Sequence, residues 1–143
     1  MWTFDHGGER EHVFLLGHRR FGLVYFVSLF CGSLGVLLMS QGTSVGASGA
    51  VFGLMGAAAV ELRTRGVNPL QTDIGLLIIF NLGLSFVIPG ISIGGHVGGL
   101  IGGALAALAL NAARRAGPNA VPAGVLACVG LSGVAVAGAL AVA

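Results

Sequence analysis

The stretch Gly94-Gly95-His96-Val97-Gly98-Gly99-Leu100-Ile101-Gly102-Gly103 decides how the chain folds. A single ionisable side chain stands in an otherwise apolar run, and Gly95, Gly99 and Gly103 recur every fourth residue, with Ala107 one turn further on. Small residues at that spacing share one helix face and let two backbones approach closely where lipid removes any hydrophobic force between helices. A second stretch, Gly46-Ala47-Ser48-Gly49-Ala50-Val51-Phe52-Gly53, has the same grammar, with Gly49, Gly53 and Ala57 in step and Ser48 beside the first of them. Ionisable residues inside apolar spans are rare and tend to mark function. His96 therefore directs attention to Ser48.

Composition agrees with a membrane setting. The 143 residues are 55% hydrophobic and 8% charged, with 26 glycines and a mean hydropathy of +0.96, far from the balance of a soluble domain. Apolar runs of span length fall at about 21–40, 46–62, 74–91, 95–110 and 121–143, the second and fourth short. The expectation is an all-α polytopic transmembrane bundle of about five spans (21–143), preceded by a polar segment, 1–20. Asp5, Glu9, Arg10 and Glu11 break any apolar core near the start, so no cleavable signal peptide is expected. Cys31 and Cys128 fall in apolar runs and read as buried free thiols. A net charge of +2 without a basic cluster argues against nucleic acid.

Arginines set the expected topology, because short cytoplasmic loops are enriched in them. Arg19 and Arg20 precede the first span, Arg63 and Arg65 follow the second, and Arg114 and Arg115 follow the fourth, while the loops at 41–45 and 92–94 carry no charge. This puts the N-terminus in the cytoplasm and the C-terminus outside. Fifteen residues separate Ser48 from Arg63, or ~22 Å of helix, and eighteen separate His96 from Arg114, or ~27 Å. Both side chains then lie at similar heights near the external ends of their helices, below a polar mouth of Gln41, Thr43, Ser44 and Ser92.

A serine hydroxyl becomes a useful nucleophile when a neighbouring imidazole takes its proton. The acids Asp5, Glu9, Glu11, Glu61 and Asp73 all fall on the cytoplasmic side, on the order of 20 Å away, so catalysis here means a Ser-His dyad. Phe52, one turn after Ser48, is placed either to hold the imidazole by stacking or simply to pack. Ser48 alone also reads as an interface serine, and His96 alone as a structural hydrogen bond or proton relay. A soluble-hydrolase nucleophile elbow does not fit, because Ala50 occupies its last glycine. No second ligand stands at the height of His96 for a metal, and His6, His12 and His18 do not share a helical face and read as solvated. No cofactor and no metal are expected.

Taken together, the Gly46–Gly53 motif and His96-Val97-Gly98-Gly99-Leu100-Ile101-Gly102 on a separate span resemble the catalytic core of rhomboid intramembrane serine proteases. Leu16-Gly17-His18-Arg19-Arg20-Phe21, leading to Tyr25 and Ser28, resembles the start of that family's third helix, and the last span looks like the seventh helix of some members. The resemblance covers about residues 15–110. It implies Ser48 as nucleophile, His96 as general base and Phe52 as the aromatic packed on the ring. Ala47, Gly46 and Gly49 would surround an oxyanion site formed by the Ser48 N–H, with that of Ala47. Gly53, Gly95, Gly99 and Gly103 would serve helix packing. Transmembrane protein substrates in the lipid bilayer, and a bacterial plasma-membrane location, are implied with it.

The matched stretch starts near the end of the family's second helix, so the first helix, first loop and most of the second helix have no counterpart. The His and Asn side chains which that second helix contributes to the oxyanion hole are expected to be absent from this stretch, since no Asn precedes Asn68, either because the sequence starts at an internal methionine or because it is a shortened member. This motivates an alternative, a non-catalytic rhomboid-like protein that binds transmembrane clients, and assembly as an oligomer or with a partner that supplies the missing segment. A small transporter using His96 as a proton relay is a third reading, although the two halves show no matching interrupted spans.

Overall fold

The computed structural model describes residues 17–39 and 47–142. Five α-helices make up the described residues: α1 Gly17–Met39, α2 Ser48–Thr64, α3 Asp73–Val87, α4 Ile93–Ala116 and α5 Val121–Val142, with short 3-10 turns at Pro69–Gln71 and Pro118–Ala120. No strand occurs among them. The helices containing α1, α4 and α5 are long and apolar enough to cross a bilayer, while α3 is a shorter apolar helix. Gly46, together with Gln41, Thr43 and Ser44 of the expected mouth, lies outside the described residues, as do the polar start with His6 and His12.

Helix ends differ from the hydropathy reading for local reasons. The fourth apolar run reads as a short span at 95–110, yet α4 has 24 residues, because helix-compatible Asn111, Arg114 and Arg115 carry it past the apolar stretch. The third run extends to residue 91, but α3 stops at Val87. Pro89 pushes the residue before it out of the helical region, and Ile88 is extended at φ −95°, ψ 114°. Gly90 at φ +90° then makes the reversal that a side chain would strain, and Ser92 Oγ accepts from Gly95 N at 3.1 Å to cap the new helix.

Helix α4 is the centre of the bundle and packs on α1 and α2, while α5 lies against α1 and α4. Two glycine faces make this possible. A Cβ at Gly99 would run into the Gly49 backbone and one at Gly103 into the Gly53 backbone, so this face lies directly on α2. At Gly94 and Gly98 the obstruction is Gly35 and Cys31 of α1, and at Gly102 it is the Cys31 side chain. Gly95 departs from the single seam expected for it: the atoms nearest to its missing Cβ are Val36 Cγ2, on α1, and Ser92. Its carbonyl is what lies close to Gly49 and Gly32. The i, i+4 rule finds a face; it does not reveal that neighbouring glycines make a second.

Below these contacts Val24, Val27, Ala57, Ala106, Ala107, Leu110 and Cys128 form a buried apolar cluster. Further from Ser48 and His96 lies a polar knot. Glu61 is 6% exposed and Asn111 is 5% exposed; Asn111 Nδ2 donates to Glu61 Oε2 at 3.2 Å, and Asn111 Oδ1 accepts from Arg20 at 2.7 Å and from Arg114 at 2.9 Å. Arg65 and Arg114 approach Glu61 at 3.5 and 3.7 Å. Charged groups removed from water need such partners, and these tie α1, α2 and α4 at one end. The arginines at the ends of three different helices therefore converge there.

Candidate active site

The first turns of α2 and α4, the middle of α3 and the connection between α3 and α4 surround a cavity of about 550 Å³. Ser48, Val51, Phe52 and Met55 contribute one wall, Leu77 and Asn81 another, and Gly90, Ile91, Ser92 and His96 the remainder. Ser48 is the first residue of α2 and is exposed; the residue before it, Ala47, supplies no side-chain cap. The N–H groups of a first helical turn lack intrahelical partners and carry partial positive charge. At Ser48 this places a hydroxyl and the N–H groups of a first helical turn together at the cavity edge.

His96 stands in the first turn of α4 and is 7% exposed, its own N–H donating to Ser92 O at 3.2 Å. Phe52 is 4% exposed and lies nearly parallel to the imidazole, with centroids 4.0 Å apart and planes 16° from parallel. One turn of α2 separates Ser48 from Phe52, so the helix that offers the hydroxyl also fixes the ring plane of His96. Gly49 is buried where Gly32 and the Gly95 carbonyl leave no room for a Cβ, and Gly53 is buried against Ser28 and the Gly99 carbonyl. These contacts set the separation of α2 and α4 beside the cavity. Among the described residues, Ser48 and His96 share this cavity without a direct hydrogen bond, and no three His, Cys, Asp or Glu side chains gather as a metal site.

Two residues of α3 have no place in the sequence reading. Ser85, 4% exposed, sets its Oγ 2.7 Å from His96 Nδ1 and donates to the Asn81 carbonyl at 2.8 Å. Asn81 itself lines the cavity. A serine and an asparagine four residues apart in an apolar helix are the available signal, but the contact of Ser85 with His96 depends on the Pro89–Gly90 reversal.

An α-helical bundle with membrane-spanning helices, and an open cavity of mixed polar and apolar lining that holds an exposed serine and a buried histidine, defines an integral membrane protein with a candidate site between its helices. A profile of the Rhomboid domain matches residues 1–113. Rhomboid protease GluP of Bacillus subtilis is 39% identical over 113 residues, covering 77% of this chain and 22% of that protein. RHOMBOID-like protein 4 of Arabidopsis thaliana is 41% identical over 95 residues, 62% of this chain and 23% of that one, and RHOMBOID-like protein 7 is 44% identical over 79 residues, 51% and 25%. The chain thus belongs to the rhomboid family, and it spans about a quarter or less of the length of these relatives. No solved structure matches it.

Proposed function

We propose that this chain carries the catalytic core of an intramembrane serine endopeptidase that cleaves transmembrane protein substrates, with Ser48 as nucleophile and His96 as general base. The observation that supports it is the cavity into which α2 brings Ser48 and α4 brings His96, with Phe52 stacked on the imidazole. Membership of a family that includes a protein named a protease points the same way.

In the reaction, Ser48 Oγ attacks the scissile carbonyl carbon as His96 takes the hydroxyl proton. The carbonyl oxygen becomes an oxyanion, which the Ser48 N–H, with that of Ala47, and the positive end of α2 stabilise. Collapse breaks the C–N bond, His96 returns the proton to the leaving amine, and an ester on Ser48 remains. Water, deprotonated by His96, then cleaves that ester and restores the hydroxyl. Phe52 keeps the imidazole from rotating, and Gly49, Gly53, Gly99 and Gly103 keep the two helices close enough for the transfer. Gly46 precedes this group. The arginine-rich end faces the cytoplasm by the positive-inside rule, so the cavity opens toward the opposite side and the C-terminus lies there.

Expressed in membranes with a single-span substrate, the wild-type chain should cleave it, and Ser48→Ala and His96→Ala should each lower kcat by about 10⁴-fold or more. Cleavage by either variant at the wild-type rate would remove that residue from the mechanism. A second reading, a non-catalytic protein holding transmembrane clients, draws on the lack of a direct Ser48–His96 hydrogen bond among the described residues. Client binding that survives Ser48→Ala, with no cleavage by wild type, would favour it.

A further inference from the structure

Only one imidazole nitrogen can serve a nucleophile, and which one depends on what the other is doing. His96 Nδ1 lies 2.7 Å from Ser85 Oγ, and Ser85 Oγ lies 2.8 Å from the Asn81 carbonyl oxygen. A hydroxyl has one proton and two lone pairs. If that proton were given to Nδ1, Ser85 Oγ and Asn81 O would be left 2.8 Å apart as two acceptors with no hydrogen between them. If it goes to Asn81 O, Nδ1–H donates to Ser85 Oγ and both short contacts are hydrogen bonds. With Ser85 at 4% and His96 at 7% exposure, little water is present to replace a bond left unmade.

We propose that Ser85 is a positioning residue that holds His96 as the Nδ1–H tautomer and leaves the lone pair on Nε2. This rests on the reading of His96 as general base. Donation to the Asn81 carbonyl polarises the hydroxyl and strengthens it as an acceptor. The chain of contacts is Asn81 C=O, Ser85 O–H, His96 N–H, with Phe52 fixing the ring plane from the side. A serine protease usually assigns this orienting task to a carboxylate, which also stabilises the imidazolium. Ser85 orients without bringing a charge that would itself need burying. It also makes the last turn of α3, a helix in loose contact with the rest of the bundle, part of the catalytic geometry.

The test combines a spectroscopic and a kinetic readout on the full chain in detergent. With ¹⁵N-labelled histidine, and the His96 signal assigned by its loss in His96→Gln, wild type should show the Nδ1–H tautomer. Ser85→Ala should shift that signal toward Nε2–H, and Ser85→Thr, which keeps a hydroxyl able to reach the carbonyl four residues back, should restore it. In cleavage assays Ser85→Ala should lower kcat about tenfold, equivalent to ~1.4 kcal/mol, at unchanged KM, with recovery in Ser85→Thr. An Nε2–H ring in wild type, or a Ser85→Ala variant with unaltered tautomer and kcat, would overturn the proposal. Cleavage at the wild-type rate in His96→Ala would instead remove His96 as general base, the reading on which this proposal rests, whereas the tautomer signal reports the Ser85–His96 contact independently of it.

Discussion

Replacing Gly99 with alanine adds one methyl where α4 meets α2. That carbon would stand 2.6 Å from the Gly49 carbonyl carbon and 2.9 Å from Gly49 Cα, and nearer still to the carbonyl oxygen. Carbons pack at ~3.5–4.0 Å, so the two helices must part by about 1 Å at this level. The obstacle is backbone, which cannot swing aside as a side chain can. Overpacking of this kind costs ~1–3 kcal/mol. Because Gly49 follows Ser48 directly, and Gly99 lies one turn after His96's own neighbour Gly95, the same displacement separates the hydroxyl from the imidazole. A shift of ~1 Å in reacting groups can cost ~10²-fold in rate. Gly99→Ala should therefore melt lower and cleave a single-span substrate about 10²-fold more slowly, with substrate binding little changed. Gly130→Ala provides the control, since nothing lies within 4 Å of a Cβ there. Wild-type melting and rate in Gly99→Ala would refute the reasoning, and a lowered melting temperature at wild-type rate would detach the glycine seam from the site.

Phe52→Ala removes the ring stacked on His96; losing a buried aromatic side chain costs ~3–5 kcal/mol, so kcat and thermal stability should both fall, whereas Phe52→Tyr should retain most of each in the same cleavage and melting assays. Glu61→Ala takes the acceptor from Asn111 and the counter-charge from Arg65 and Arg114. Because both arginines are about half exposed, the ion pairs themselves contribute little, and the loss should be the ~1–3 kcal/mol of an unsatisfied buried polar group. Thermal denaturation should register that loss while cleavage at low temperature persists, since the knot lies at the end of the bundle away from the cavity.

The family and the all-helical bundle could be read from the chain because they depend on local quantities: hydropathy over a span, glycines at i, i+4, and two short motifs. The shared height of Ser48 and His96 follows from counting helix rise to the arginines. What could not be read is whatever needs three dimensions. Gly94, Gly98 and Gly102 look like part of one glycine run, and only the position of α1 shows that they form a separate contact face. Glu61 and Asn111 are fifty residues apart, and the arginines around them reveal topology in the sequence but not their hydrogen bonds. Ser85 looks like an isolated polar residue in an apolar helix until the turn at Pro89 and Gly90 folds α3 back against His96.

An activated hydroxyl at Ser48 would reveal itself by covalent labelling. The membrane-inserted chain should react with a fluorophosphonate probe, peptide mapping should place the adduct on Ser48, and both Ser48→Ala and His96→Ala should lose it. An inserted, folded chain that takes up no probe, or takes it up equally after Ser48→Ala, would contradict the account.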